Sequence, residues 1–282
     1  MANLILSAFA DEYSGSLDEQ ISALKKHGIN YMEFRSVGGS FIPDIPESEA
    51  LKIKETLKNA GLKVSSLGSP LGKTIISDNM RDYEKVAEHI FNVADIFETK
   101  YVRCFSFYLP KGATFDEYKT RIFDEMETLV LMAEKHGITL CHENEANIFG
   151  ESPENCLELL DYFGGKLKCV FDMGNFVLDG YESYPYAYNL LKKHIAYFHI
   201  KDALAVGAVV PPGKGEAKIK EILGDYIKNG KNDTFVTLEP HLQTFSGLNA
   251  LVGKTFDNPY KYQDSKAAFD DAAQKIKEIL NI

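Results

Sequence analysis

His136-Gly137-Ile138-Thr139-Leu140-Cys141-His142-Glu143 reads as the end of a helix, a complete strand and the polar residue that terminates it. Glycine readily takes the positive φ that closes a helix, and an apolar, β-prone run starting at once behind it predicts a tight helix-to-strand turn. The strand then stops on a carboxylate. The same kind of ending recurs in Cys169-Val170-Phe171-Asp172, in Ile195-Ala196-Tyr197-Phe198-His199 and in Phe235-Val236-Thr237-Leu238-Glu239. In a parallel barrel the carboxyl ends of the strands share one rim, so these four endings predict that four ionisable side chains meet there.

Further along the chain, short β-rich runs occupy residues 3–9, 29–34, 62–67, 100–107, 138–143, 168–172, 195–200 and 234–239, with helical patterns between them. Helix starts are legible in Ser16-Leu17-Asp18-Glu19 and Thr114-Phe115-Asp116-Glu117, which have capping-box spacing, and in Ser152-Pro153, an N-cap followed by proline. His27-Gly28-Ile29 and Ala60-Gly61-Leu62 repeat the glycine device of the opening stretch. Eight βα units with tight turns on one face and longer loops on the other predict an α/β fold, a single (β/α)8 TIM barrel over residues 1–282. A doubly wound open sheet is the competing arrangement. Against it, the first strand runs into Ala8-Phe9-Ala10-Asp11-Glu12-Tyr13-Ser14-Gly15-Ser16 without a GxGxxG dinucleotide fingerprint. The longest irregular stretches, around 203–215 and 241–263, follow late strands and are expected over the rim that carries the ionisable residues.

Composition narrows the function. Apolar residues make up 45% and charged residues 26% of the 282, ordinary for a globular protein, and no apolar run is long enough to span a bilayer. Met1-Ala2-Asn3-Leu4-Ile5-Leu6-Ser7 lacks the basic start and long apolar region of a signal peptide, which points to the cytoplasm. Cys104, Cys141, Cys156 and Cys169 show no CxxC spacing and read as small core residues. A net charge of −10 disfavours a nucleic-acid partner, so the expected partner is a small molecule.

Three carboxylates and one imidazole, Glu143, Asp172, Glu239 and His199, are a ligand set for one divalent ion. Oxygen-rich ligation favours Mn, Co or Mg, with Zn compatible. Glu145 shares the inward side with Glu143 and is the alternative first ligand. Lys201, two residues beyond His199, either meets a substrate oxygen or pairs with a neighbouring carboxylate. His241, two beyond Glu239, either contacts substrate or bonds a ligand carboxylate. Arg103 lies within an apolar strand, where an unpaired charge is costly, so it should pair with Glu33 or Glu143. Phe9, Phe105, Phe107, Tyr108 and Phe149 form either a stacking wall for a small polyol or barrel core. Pro211-Pro212-Gly213-Lys214-Gly215-Glu216 lacks P-loop spacing and reads as a rim loop.

The four strand ends, at intervals of 29, 27 and 40 residues, resemble the xylose isomerase-like barrels, a group that includes ketose 3-epimerases, hydroxypyruvate isomerases, inosose dehydratases and the endonuclease IV branch. The resemblance covers nearly the whole chain and implies that Glu143, Asp172, His199 and Glu239 hold the metal. It departs from the epimerase pattern where a histidine and an arginine are replaced by Asn175 and Ala205, so substrate hydroxyls must be recognised differently. The extra histidines of the endonuclease branch are also missing. Lys201-Asp202 after the ligand histidine is similar to many relatives. The resemblance implies a metal-dependent isomerase or epimerase of a small hydroxy-carbonyl sugar, passing a proton between Glu143 and Glu239 through an enediolate. The alternatives are a sugar or inosose dehydratase on the same site and a non-catalytic sugar-binding barrel. A homo-oligomer is compatible with all three.

Overall fold

The computed structural model describes residues 2–76, 80–242 and 259–281. Eight parallel strands close into a barrel: β1 (Leu4–Ala8), β2 (Tyr31–Phe34), β3 (Lys63–Leu71), β4 (Tyr101–Cys104), β5 (Thr139–Glu143), β6 (Lys168–Asp172), β7 (Ile195–Ile200) and β8 (Thr234–Leu238). Each pairs with its neighbours in sequence, and β1 closes the ring by pairing Leu4 to Ala8 with Thr234 to Leu238. Every strand anticipated from sequence is present. The third extends to Leu71, while the fourth stops at Cys104.

Around the barrel lie α1 (Leu17–Lys26), α2 (Glu47–Asn59), α3 (Arg81–Phe97), α4 (Phe115–Lys135) and α5 (Pro153–Tyr162), followed by two short helices, α6 (Met173–Leu178) and α7 (Tyr188–Leu191), then α8 (Ile219–Asn229) and α9 (Ser265–Leu280). The Thr114 box forms in full at α4, and Ser152 caps α5 by accepting from the Asn155 N–H. The Ser16 box does not form. Ser16 is the N-cap of α1 without a side-chain bond, because Glu19 is taken by Ser14 and by Lys266 of α9. A charged partner from a distant helix outcompetes the local backbone. Residues 203–215 are more ordered than expected, since Asp202–Leu204 and Ala208–Val210 pair as an antiparallel hairpin. Most of 241–263 lies outside the described residues. Among the described residues no helix is long and apolar enough to cross a membrane.

Side-chain alternation divides the barrel interior into layers. Cys141, Val170 and Tyr197 form a small buried cluster with Tyr101 and Phe235 against it. One alternation further along the same strands come Glu143, Asp172, His199, Arg103 and Thr237, the last followed two residues on by Glu239. The polar layer therefore sits on an apolar one, at the carboxyl rim. The larger core, between strands and helices, includes Phe34, Phe91, Leu140, Phe171 and Phe198.

Gly137 closes α4 at φ +66°, on the face opposite Glu143, and a Cβ there would meet nothing within 4 Å. The cost of Gly137→Val is then backbone strain alone, about 1 kcal/mol or more. Thermal melts should show that loss with ion affinity unchanged; collapse of ion binding without loss of stability would contradict the two-face arrangement.

Candidate active site and metal centre

Four ligand atoms, one each from Glu143, Asp172, His199 and Glu239, lie within 4.8 Å of one another, and all four residues are buried. Two donors around one cation, each about 2.0–2.6 Å from it, stand up to about 4–5 Å apart, so the set fits a divalent ion. Glu143 and Asp172 end β5 and β6, His199 is the penultimate residue of β7, and Glu239 directly follows β8. Asn144 ties two of these ends together: its Nδ2 donates to the Asp172 carbonyl at 2.9 Å and its Oδ1 accepts from the Asp172 N–H at 3.0 Å. Asp172 also caps α6, accepting from the Asn175 N–H at 2.8 Å.

His199 is the hub. Its Nδ1 lies 3.1 Å from both Glu143 Oε1 and Glu239 Oε2, and its Nε2 lies 3.1 Å from Glu33 Oε2. The far oxygens of Glu143 and Glu239 are each held by an arginine. Arg103 Nη1 reaches Glu143 Oε2 at 3.0 Å, and Arg35 Nη1 reaches Glu239 Oε1 at 2.9 Å. Lys201 Nζ donates to Asp172 Oδ2 at 2.8 Å and Asn175 Oδ1 at 3.0 Å, and lies 3.3 Å from Glu239 Oε2.

Burial pushes the Glu143 carboxyl up, but His199 and Arg103 outweigh it and hold it down to about 2. Glu239 is likewise buried, yet Lys201, His241 and His199 bring it well below the usual carboxylate range. Asp172 goes the other way: burial, together with the Glu143 and Glu239 charges, outweighs Lys201 and lifts it to about 7. Burial disfavours the His199 cation, but Glu33, Glu143 and Glu239 reverse that and hold its pKa well above the ordinary value. In the absence of a metal the site therefore holds protons that a divalent ion would displace.

Lys201, Asn175, Arg103 and His241 all join the cluster. Arg103 pairs with Glu143 as anticipated, and His241 Nε2 lies 3.4 Å from Glu239 and 3.5 Å from Glu12. Glu145 is not brought to the ligand set. Beyond the end of β5 the alternation no longer holds, and its carboxylate meets Lys73 at 2.8 Å. Phe107 is fully buried, belongs to the large core and packs on Tyr83. Phe149 packs on Phe115 and Phe123. Of the aromatics, Phe9 comes closest to the ligands, with its ring edge-on to His199 and the Arg35 guanidinium 4.1 Å from the ring centre. The Pro211–Gly215 loop is wrapped onto Asp202, whose carboxylate accepts from the N–H groups of Gly213 and Gly215 at 2.8 and 2.9 Å.

Three site residues escaped the sequence reading. Asp11 and Glu12 follow β1, and Arg35 follows β2, where its guanidinium donates a bidentate pair of 2.8 Å bonds to the Asp11 carboxylate. Ala8-Phe9-Ala10-Asp11-Glu12 and Glu33-Phe34-Arg35 carry the same apolar-to-polar switch as the late strands, which was the available signal. Glu12, Glu239 and His241 also have ligand atoms within 4.8 Å of one another, but Arg35 already supplies positive charge there, 2.9 Å from Glu239 and 3.5 Å from Glu12.

A closed parallel barrel with a carboxylate and imidazole cluster at its carboxyl rim defines the class. A family model described as a xylose isomerase-like TIM barrel matches residues 21–279, and the chain belongs to that family. Among solved structures it is similar to a D-allulose 3-epimerase from Methylomonas sp., at 15% identity over 99% of this chain and 98% of that one, with a TM-score of 0.75. It is similar also to the probable 3-DHS dehydratase AsbF from Bacillus anthracis, at 16% identity over 100% and 99% of the two chains, TM-score 0.71. A third similar structure is the IOLI protein with a bound zinc atom, at 16% identity over 100% and 98%, TM-score 0.71. At these identities the likeness is one of fold. No curated protein sequence matches the chain.

Two outcomes follow for the ligand set. The purified chain should carry close to one divalent ion and lose it in Asp172→Ala and His199→Ala; elemental analysis finding unchanged metal in both would exclude these ligands. Because the raised His199 pKa means that an ion must expel a proton, apparent affinity should increase with pH by about tenfold per unit, and more steeply below about pH 7, where Asp172 also holds a proton. Calorimetry in buffers of different ionisation heat reads the released proton directly, and an affinity independent of pH below neutrality would contradict this protonation state.

Proposed function

We propose that the protein isomerises or epimerises a small, sugar-like hydroxy-carbonyl compound by proton transfer through an enediolate. One observation carries the reading: Glu143 and Glu239, on strands three apart in the ring, each bring one oxygen to 3.1 Å from the same nitrogen of His199. Two carboxylates converging on one centre suit removal of a proton by one and its return by the other. Their pKa values, held low by His199, Arg103 and Lys201, keep both unprotonated.

Glu143, Asp172, His199 and Glu239 are the proposed ligands, for Mn, Co or Mg in preference to a softer ion, and Zn is the alternative. When bound, the ion supplies Lewis acidity to a carbonyl and its neighbouring hydroxyl. The protein's own groups do the rest. Lys201 presents a buried ammonium beside the ligands, placed to stabilise negative charge on a substrate oxygen. Asn175, bonded to Lys201 and within 3.4 Å of Glu143 Oε1, offers an amide for hydroxyl recognition. Arg35 and Arg103 hold the far glutamate oxygens, so each carboxylate turns a single oxygen to the centre. The arginine beside Glu12 and Glu239 favours a one-ion site, and with it proton transfer over a two-ion hydride shift.

Turnover of an accepted ketose in heavy water should place deuterium on the reacting carbon. Glu143→Gln and Glu239→Gln should each suppress that exchange by on the order of 100-fold, since Gln keeps the shape but takes no proton. Product without deuterium, with internal proton return excluded, would overturn the proposal. Loss of water in place of rearrangement would assign a dehydratase, and ligand binding without exchange at any metal concentration would assign a binding protein.

A further inference from the structure

Glu33 has no place in the ligand set, yet it is among the most deeply buried carboxylates of the barrel. It reaches from β2 across the interior to β7. There Oε2 stands 3.1 Å from His199 Nε2, and Oε1 accepts from the Tyr197 hydroxyl at 3.1 Å. Tyr197 lies two residues before His199 on the same inward side of β7, one layer below it. Both oxygens of Glu33 are therefore engaged by a single strand, and that strand carries the imidazole. The pairing of β2 with β3 slips by one residue between Met32 and Glu33, where Met32 faces Val64 but Glu33 faces Ser66. Irregularities of this kind re-aim side chains beside functional sites, and this one falls at Glu33.

With Oε1 accepting from Tyr197, Oε2 is placed to accept in turn, so the ring nitrogen facing it keeps its hydrogen. We infer that Glu33, steadied by Tyr197, is a positioning residue that keeps a hydrogen on His199 Nε2, so that Nδ1, the nitrogen facing Glu143 and Glu239, is the one that gives up its proton and binds when an ion enters. The inference rests on the metal-site reading above and adds which nitrogen binds and what enforces it. Outer carboxylates that orient a ligating imidazole contribute about 10–100-fold in metal affinity. Replacing Glu33 with Gln removes the charge and presents an amide that can donate as well as accept. With the Tyr197 hydroxyl still donating to the Gln carbonyl, the amide NH2 turns toward Nε2 and favours the opposite ring tautomer. Tyr197→Phe frees the Gln to rotate, so in the double variant part of the loss should be recovered.

The experiment uses Zn²⁺ alone, on the full chain labelled with ¹⁵N-histidine. In the Zn²⁺-loaded wild type, the His199 signal, assigned by its loss in His199→Ala, should show a proton on Nε2 and the ion on Nδ1. Titration should give Glu33→Gln an affinity about 10–100-fold weaker than wild type, with Glu33→Gln/Tyr197→Phe between them. Ion binding through Nε2 in the wild type would overturn the inference without any variant needing to fold. Equal affinity of wild type and Glu33→Gln, with binding lost in His199→Ala, would overturn it while leaving the metal site standing. A wild type that binds no ion would remove the metal site, and the inference with it.

Discussion

Burying charge is costly unless it is compensated, and this barrel buries a great deal. Asp11, Glu12, Glu33, Glu143, Asp172 and Glu239 are all buried around Arg35, Arg103 and Lys201. Six carboxylates against three permanent cations leave an excess of negative charge, and the site answers it with protons. His199 is held well above its ordinary pKa, Asp172 rises to about 7, and Glu12, raised chiefly by burial, to about 8. A cavity that must gather protons to balance itself is one in which a divalent cation replaces them favourably. Affinity for an ion and the arrangement of the arginines are thus two sides of one charge balance.

That balance needs rigid surroundings, which the two layers supply. The apolar layer of Cys141, Val170 and Tyr197 beneath the ligands leaves the polar side chains little room to relax away from one another. Close backbone approach adds to the constraint. Gly174, in α6, lies against Lys201 so tightly that a Cβ would come within 2.7 Å of that side chain, and Gly68 leaves space for the Phe9 ring under Arg35. The ammonium and the guanidinium are positioned by the absence of two methyl groups as much as by their partners.

The arginines also divide the work of the two glutamates. One oxygen of each is occupied by a fixed guanidinium and the other is turned to His199. A carboxylate held this way has little freedom to swing, which favours a reproducible path for a proton over several competing ones. The Glu33 and Tyr197 pair extends the same logic to the imidazole. In each case a residue that need not touch substrate decides which atom of its neighbour is available.

Strand identity, the glycine helix ends and the four candidate ligands are local properties, visible as an apolar run, a residue able to take positive φ and a terminal polar residue. For that reason all eight strands and the Glu143, Asp172, His199 and Glu239 set were legible in the chain. Whatever depends on contacts across the ring was not. Arg35 joins Glu239 over 204 residues of sequence, and Glu33 joins His199 over 166. The Ser16 box yields to Lys266 of α9, Glu145 turns away to Lys73, and Phe107 sinks into the core beside Tyr83. Sequence determined which side chains end the strands, because alternation and periodicity act over a few residues. Only closure of the barrel decided how those charges are shared out, because pairing energy depends on distances that no local pattern encodes.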